Sequence, residues 1–279
     1  MTAQDEAPLR EFSGTTPIGL AGSLGELVRS RDLLWSWVGR EIKIRYKQSI
    51  LGAAWAVLQP LALMLMFTLV FSLLINIDTG DIPYPLFSYT AVLPWTFVST
   101  SITFATSSLL TNMNLVTKTY FPREVLPLGS IGAALLDFLV ASTVFAGLMI
   151  VYRVPLTTES LWLPLLLSIQ VALIVGVALI TSSLAVTYRD IRFVVPLGLQ
   201  LWFYATPVIY PLSLIPDGLR PFYVLNPMAA LIDSYRAVLL HGQAPRLEDL
   251  AVAASVALVV LVAGYWVFKR LEPTFADVI

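Results

Sequence analysis

The chain has 279 residues, 57% of them hydrophobic and 13% charged, against about 25% charged in an average soluble protein. With no cysteine, one histidine and a net charge of −1, it has no means of forming disulfides, thiol nucleophiles or His-pair metal sites. It also lacks the clustered positive charge that nucleic acid demands. What remains is an integral membrane protein.

Residues 1–22 read as a flexible lead-in, with Asp5, Glu6, Arg10 and Glu11 among Pro and Gly and no apolar signal-peptide core. Residues 23–50 predict a cytoplasmic amphipathic helix on the membrane surface, a solvated tether being the competing reading. Ser23 and Glu26 form a capping-box pattern. Leu27, Leu34, Val38 and Ile42 share one side, and Arg29, Ser36, Arg40, Lys43 and Lys47 another. Arg45 falls on the apolar side and breaks the pattern. The basic stretch ending at Lys47 then runs into 30 uncharged residues, Gln48 to Ile77, as a helix entering a membrane does.

Subtracting charges predicts six spans, at about 52–76, 86–111, 128–151, 161–186, 194–214 and 250–268. Pro83 and Pro85 mark the start of the second, and Asn112 with Asn114 its end. Six crossings place both termini on one side. That side then holds 13 Lys and Arg, against four (Arg153, Arg220, Arg236 and Arg246) on the other, so the termini are expected in the cytoplasm. Between spans five and six, Asn226-Pro227 starts and Gly242 stops a helix of about 15 residues, roughly 22 Å long and too short to cross. It reads as a re-entrant or surface helix with one apolar stripe and with Asp233 and Arg236 spaced to pair. The predicted fold class is an all-α membrane protein with six transmembrane helices. An amphipathic interface helix precedes them, and short re-entrant or outer-face helices lie between helices five and six.

No Walker A pattern occurs, so the chain does not cradle nucleotide phosphates in that way. The Ser and Thr of spans two and four suit helix packing and backbone hydrogen bonding, and His241 suits a helix C-terminus. Asp137 is the ionisable residue deep in a span, where a charge costs about 2.5–3.5 kcal/mol. It must face protein or water, as a partner for a neighbouring helix, beside a polar path, or in a coupling role. Trp202, Phe203 and Tyr204, with Tyr210, Trp55 and Trp95, suit either sliding contacts with sugar faces along a path or an interfacial belt. Being consecutive, Trp202 to Tyr204 cannot all line one channel. Two short loops, Thr117–Pro127 and Tyr188–Arg192, mix charge with aromatics as a small docking surface does.

Several stretches together resemble the permease subunits of type-2 ABC exporters for polysaccharides, the O-antigen, capsular, teichoic-acid and galactan exporters. They are Arg45-Tyr46-Lys47-Gln48-Ser49-Ile50-Leu51-Gly52 before Trp55, Pro83-Tyr84-Pro85-Leu86-Phe87 and Lys118-Thr119-Tyr120-Phe121-Pro122-Arg123. Tyr188-Arg189-Asp190, Pro207-Val208-Ile209-Tyr210-Pro211 and Asn226-Pro227-Met228 continue the likeness. Ala91 stands where that family has Gly, and Asp233-Ser234-Tyr235-Arg236 varies its Glu-x-Phe-Arg.

The resemblance implies a homodimer in a bacterial inner membrane, driven by two copies of a separate ATPase subunit that carries the ATP and Mg. Its cargo would be a lipid-linked glycan moving outward. Arg45, Lys47, Lys118, Tyr120, Phe121, Pro122, Arg123, Tyr188, Arg189, Asp190 and Arg192 would meet the ATPase. Trp55, Trp202, Phe203, Tyr204 and Tyr210 would line the path, and Asn226, Pro227, Met228 and Arg236 would belong to an outer gate. Competing readings are a drug or lipid exporter of the same layout, a proton-coupled secondary transporter, and a membrane glycosyltransferase or scaffold. Buried acids and internal repeats would favour the second; carboxylate pairs would favour an enzyme.

Overall fold

The computed structural model describes residues 30–47, 49–118, 121–216, 218, 223 and 225–276, and among these it contains helices and no strand. Helix α1 spans Arg31–Tyr46. A 3-10 turn at Gly52–Ala54 leads into α2, Trp55–Phe67, which π-helical turns prolong over Thr68–Leu74. Then come α3 (Tyr84–Thr111), α4 (Met113–Lys118), α5 (Val125–Val151), α6 (Leu163–Thr187), α7 (Ile191–Tyr204), α8 (Pro227–Leu240) and α9 (Leu247–Leu271). Turns of 3-10 helix precede α6 at Thr158–Trp162 and follow α9 at Glu272–Ala276. The lead-in, the capping pattern at Ser23 and Glu26, Gln48 and Arg220 lie outside the described residues.

Among the described residues four helical stretches are long and apolar enough to cross a membrane: Gly52–Leu74, Val125–Val151, Thr158–Thr187 and Leu247–Phe275. The other two predicted crossings differ from these for separate reasons. Helix α3 carries no charge over its 28 residues, but eleven of them are Ser or Thr, which dilutes its hydropathy. Helix α7 is apolar but has only 14 residues.

The core forms around α3, which packs against α2, α5, α6, α7 and α8 and buries most of its length, Ala91 included. Several of its buried hydroxyls turn back on the helix: Thr90 donates to Leu86 O, Thr106 to Ile102 O and Ser108 to Ala105 O. Thr106 also donates to Thr181 Oγ1 on α6 at 2.8 Å. Gln170 of α6, wholly buried, donates through Nε2 to Pro94 O (2.8 Å) and accepts from the Tyr235 hydroxyl of α8 (2.9 Å). One amide thus ties three helices together.

Helices α6 and α9 meet backbone to backbone. A Cβ on Gly176 would lie 2.6 Å from Val260 O, and one on Gly264 would run into Gly176 O. Ala253, Ala257 and Phe268 continue the buried face of α9 at helical spacing.

Helix α8 is buried on nearly every side, packed on α3, α6 and α9, so it is sunk into the bundle and not laid on its surface. Asn226 caps it by accepting from Met228 N at 3.1 Å, and Gly242 (φ 59°) closes it after His241. The helices therefore present two ends. One gathers the end of α3, α4, the end of α6 and the C-terminal turn with the basic loops; the other holds α8 and the turn after α7.

Replacing Gly264 with Leu should overpack this crossing at a cost of about 1–3 kcal/mol or more. Thermal unfolding in detergent should show a lower midpoint for Gly264→Leu, while Gly147→Leu, where an added Cβ meets nothing within 4 Å, should unfold as the parent does.

Candidate functional site

The first polar joint lies where α1 meets α5. The Trp37 side chain fills the space over Gly129, where any Cβ would collide with its ring, and Val38 Cγ2 would lie 2.6 Å from a Cβ on Gly132. Further along, Arg45 pairs with Asp137 Oδ2 and Tyr46 donates its hydroxyl to Asp137 Oδ1. The guanidinium of Arg45 also stacks over Phe104, 4.2 Å from the ring centre. Burial, then Asp137, pushes the Tyr46 hydroxyl up to about 12. Arg40 completes the docking by donating to Asn112 Oδ1 at 3.0 Å while lying over Trp37. Asp137 thus has its neighbouring-helix partner, and Arg45 leaves the polar side of α1 because that partner is on the other. Beside the pair lies a cavity of about 240 Å³ lined by Trp55, Gln59, Thr96 and Thr100.

A groove of about 360 Å³ runs between α2, α3 and α7. Thr96, Ser99, Thr100, Thr103 and Ser107 recur along α3 at three- and four-residue spacing, and the first, second and fourth of them line it with Gln59, Gln200 and Tyr204. The consecutive aromatics of α7 splay around the helix. Trp202 is edge-on to Trp95 at 5.6 Å and donates to Asn226 Oδ1 at 2.9 Å. Phe203 stacks on Phe67 at 5.8 Å, and Tyr204, 59% exposed, points outward. The Tyr210 hydroxyl donates to Tyr204 O at 3.1 Å and lies 2.8 Å from the Tyr223 hydroxyl. Trp55, the first residue of α2, is half exposed.

At the far end α7 is shorter than the predicted span of about 194–214, and the rest of that stretch is turn. Helix α7 stops at Tyr204 and not at 214, because Pro207 and Pro211 lack the N–H groups a helix needs and distant side chains take up the freed carbonyls. Arg236, buried on α8, donates through Nη1 to Pro207 O (2.8 Å) and Tyr210 O (3.4 Å) and through Nη2 to Val208 O (2.7 Å). Its guanidinium lies 3.7 Å above the Phe87 ring. The anticipated pairing with Asp233 is replaced by these carbonyls. Tyr84 donates to Ile209 O at 2.8 Å, and Asn226 Nδ2 donates to Ala205 O and Thr206 Oγ1. Pro227 and Met228 are buried in the first turn of α8. Three separate motifs meet here: Pro83–Phe87, Pro207–Pro211 and Asn226–Met228.

At the basic end Lys118, Tyr188, Arg189, Asp190 and Arg192 are exposed, and Phe121 and Pro122 are half-buried; Lys47, also exposed, lies two residues past Arg45, level with the middle of α5. Tyr120 lies outside the described residues. Arg123 turns inward, donating to Glu272 O. Glu124 is buried with Lys269 Nζ 2.9 and 3.1 Å from its two oxygens; burial pushes its carboxyl up, against the pull of the ammonium. Among the described residues no group of His, Asp and Glu is arranged to hold a metal.

Among the described residues this is an all-helical membrane protein whose polar joints hold helices in register. Residues 32–240 match the family model for the membrane component of ABC-2 type transporters, and the chain belongs to that family. It is 35% identical over 254 residues to the O-antigen export system permease protein RfbA of Myxococcus xanthus, covering 90% of this chain and 97% of that one. A Klebsiella pneumoniae protein of the same name is 30% identical, with 89% and 95% covered. The polysialic acid transport protein KpsM of Escherichia coli is 26% identical, with 84% and 91% covered.

Gln170, Gly176, Gly264 and the Glu124–Lys269 pair were not singled out by the sequence reading. A lone amide inside an uncharged span was the available signal for Gln170. Nothing local marks the glycines, since what they touch lies on another helix.

Asp137→Asn should leave Arg45 without its counter-ion at a site where both side chains are at most 20% exposed, costing about 3–5 kcal/mol. The double variant Arg45→Met/Asp137→Leu should recover most of that loss. Unfolding midpoints in detergent of Arg45→Met, Asp137→Leu and the double variant measure the coupling; strictly additive losses would mean the pair contributes nothing as a pair.

Proposed function

We propose that the chain is the channel-forming subunit of an exporter that moves a lipid-linked polysaccharide outward across a bacterial inner membrane. It works as a homodimer of six-span subunits with both termini in the cytoplasm. Two copies of a separate ATPase subunit bind the ATP and Mg and push on the basic end. The observation that carries the cargo is near full-length similarity to permeases named for O-antigen export, reaching 35% identity over 90% of this chain. The 13-to-four distribution of Lys and Arg supports the orientation. The six crossings take in α3, whose 28 residues extend about 42 Å, and α7 with the turn after it.

The groove between α2, α3 and α7 is the surface on which the polymer slides. Hydroxyls, two amides and the outward ring of Tyr204 offer weak contacts that a moving glycan can exchange one for another. The exposed Lys118, Tyr188, Arg189, Asp190 and Arg192 form the face toward the ATPase, with Phe121 and Pro122 beside it; Lys47 and Tyr120 are assigned to it through the sequence motifs they share with Arg45 and Phe121. Arg45 belongs to that face through its hold on α1. Asn226, Pro227, Met228 and Arg236 hold the outer gate in shape.

Removing the gene should leave finished polymer inside the cell, and tagged protein should co-purify with an ATPase subunit. Resistance to small molecules with normal surface glycan would point instead to the drug or lipid exporter. Exposure also separates the aromatics. Tyr204→Ala should lower export severalfold without moving the unfolding midpoint. Trp202→Ala, which removes the contacts with Trp95 and Asn226, should lower the midpoint as well, by about 3–5 kcal/mol of stability.

A further inference from the structure

The two loops at the basic end are held very differently. Tyr188, Arg189, Asp190 and Arg192 are all exposed, and no ion pair joins them to another helix among the described residues. The loop before α5 is bolted down. Arg123 donates to Glu272 O and lies over the Phe275 ring, while Glu124 is 1% exposed and held by Lys269, which also bonds Glu272 Oε2 at 2.9 Å. A carboxylate that deep needs its cation, so Glu124 keeps the last turn of α9 beside it.

Beneath these polar contacts lies a hydrophobic core separate from the main one. Phe268 and Phe275, both fully buried and edge to face at 5.6 Å, pack with Leu109, Val116, Leu126 and Val186. The C-terminal turn therefore carries Phe275 back into the ends of α3, α4, α5 and α6, and a free tail has no reason to do so.

Helix α9 also reaches the opposite end. Of the four helices longer than 20 residues it alone contains no proline. It crosses α6 at Gly176 and Gly264 with no side chain between them, and it packs against α8, whose Arg236 holds the turn after α7. A displacement of the Arg123–Glu124 loop has a stiff route along α9 to α8.

We propose that the C-terminal turn Glu272–Ala276 is a clasp that locks the loop before α5 to α9, so that force applied at the basic end reaches the Arg236 knot through α9 as well as through α5. Lys269 is its central positioning residue, with Glu124 and Glu272 as partners and Phe275 as the apolar bolt. This rests on the reading that an ATPase partner pushes on that loop.

The chain has no cysteine, so one introduced residue reports cleanly. Leu214→Cys places a thiol at the exposed end of the turn Leu212–Leu214, next to the knot. The measurement is its maleimide labelling rate in the full complex with the ATPase, with and without ATP, beside ATP hydrolysis. With the clasp intact, ATP should change labelling about fivefold or more. Lys269→Gln should abolish that change while hydrolysis continues at the parent rate, and Lys269→Arg, which keeps a cation between Glu124 and Glu272, should retain it. Glu272→Gln, which strands no deeply buried charge, should give an intermediate response if the first variant folds poorly. An undiminished ATP response in both Lys269→Gln and Glu272→Gln would overturn the clasp. So would a response that falls only in step with hydrolysis and assembly, the mark of a plain structural staple. The reporter follows helices and not cargo, so a mistaken glycan assignment leaves this outcome readable on its own.

Discussion

The pairing of Arg45 with Asp137 is the constraint from which the arrangement of the basic half follows. Each residue alone is an error in its own helix. Arg45 sits on the apolar side of an amphipathic segment, and Asp137 is a charge midway along an otherwise apolar helix. Together they neutralise each other where water is scarce, and Tyr46 supplies the carboxylate's further hydrogen bond. The pair also fixes register. From Trp37 over Gly129 to Arg45 on Asp137 is eight residues on both helices, so α1 and α5 run side by side. A slip of one residue would drive the Trp37 ring off Gly129, where a missing Cβ leaves it room.

Much of this architecture is legible in the sequence, and the limits have physical causes. Charge-free runs locate helices because a charge in hydrocarbon is expensive, and Asn112 marks the end of α3 because its side chain satisfies Ser108 O where the helix can no longer do so. The end of α7 is not legible locally. It depends on Arg236, which lies some thirty residues away and supplies the donors that make a broken helix tolerable. The same arginine is spaced in the sequence to pair with Asp233, and that spacing says nothing of its true partners. Its donors go to backbone carbonyls, which a sequence does not display. The site residues divide along the same line: exposed loop charges follow from composition, whereas which of three consecutive rings faces outward depends on Trp95, Phe67 and Asn226 from other helices.

Two departures from the family pattern also find their cause in packing. Tyr235 stands where that family has Phe, and its hydroxyl closes the buried chain to Gln170 and on to Pro94 O. A Phe would leave Gln170 Oε1 without this donor in a fully buried site. Ala91 in place of Gly is buried without residue, so the helices around α3 stand far enough apart at that level to admit one methyl.

Between helices in a membrane there is little hydrophobic drive, so polar joints and close backbone contact decide which helices move together. Here α1 is joined to α5 by Asp137, α3 to α6 and α8 by Gln170, α7 to α8 by Asn226 and Arg236, and α6 to α9 by two glycines. Helix α2 is the exception. Among the described residues no side-chain hydrogen bond or ion pair joins it to another helix, and its one such bond, Thr68 to Met64 O, turns back on itself. Pro60 and the π-helical turns at Thr68–Leu74 weaken its own ladder as well. The groove under Gln59 and Tyr204 is therefore walled on one side by the helix that is cheapest to displace. Widening it breaks dispersion contacts and leaves every polar joint intact.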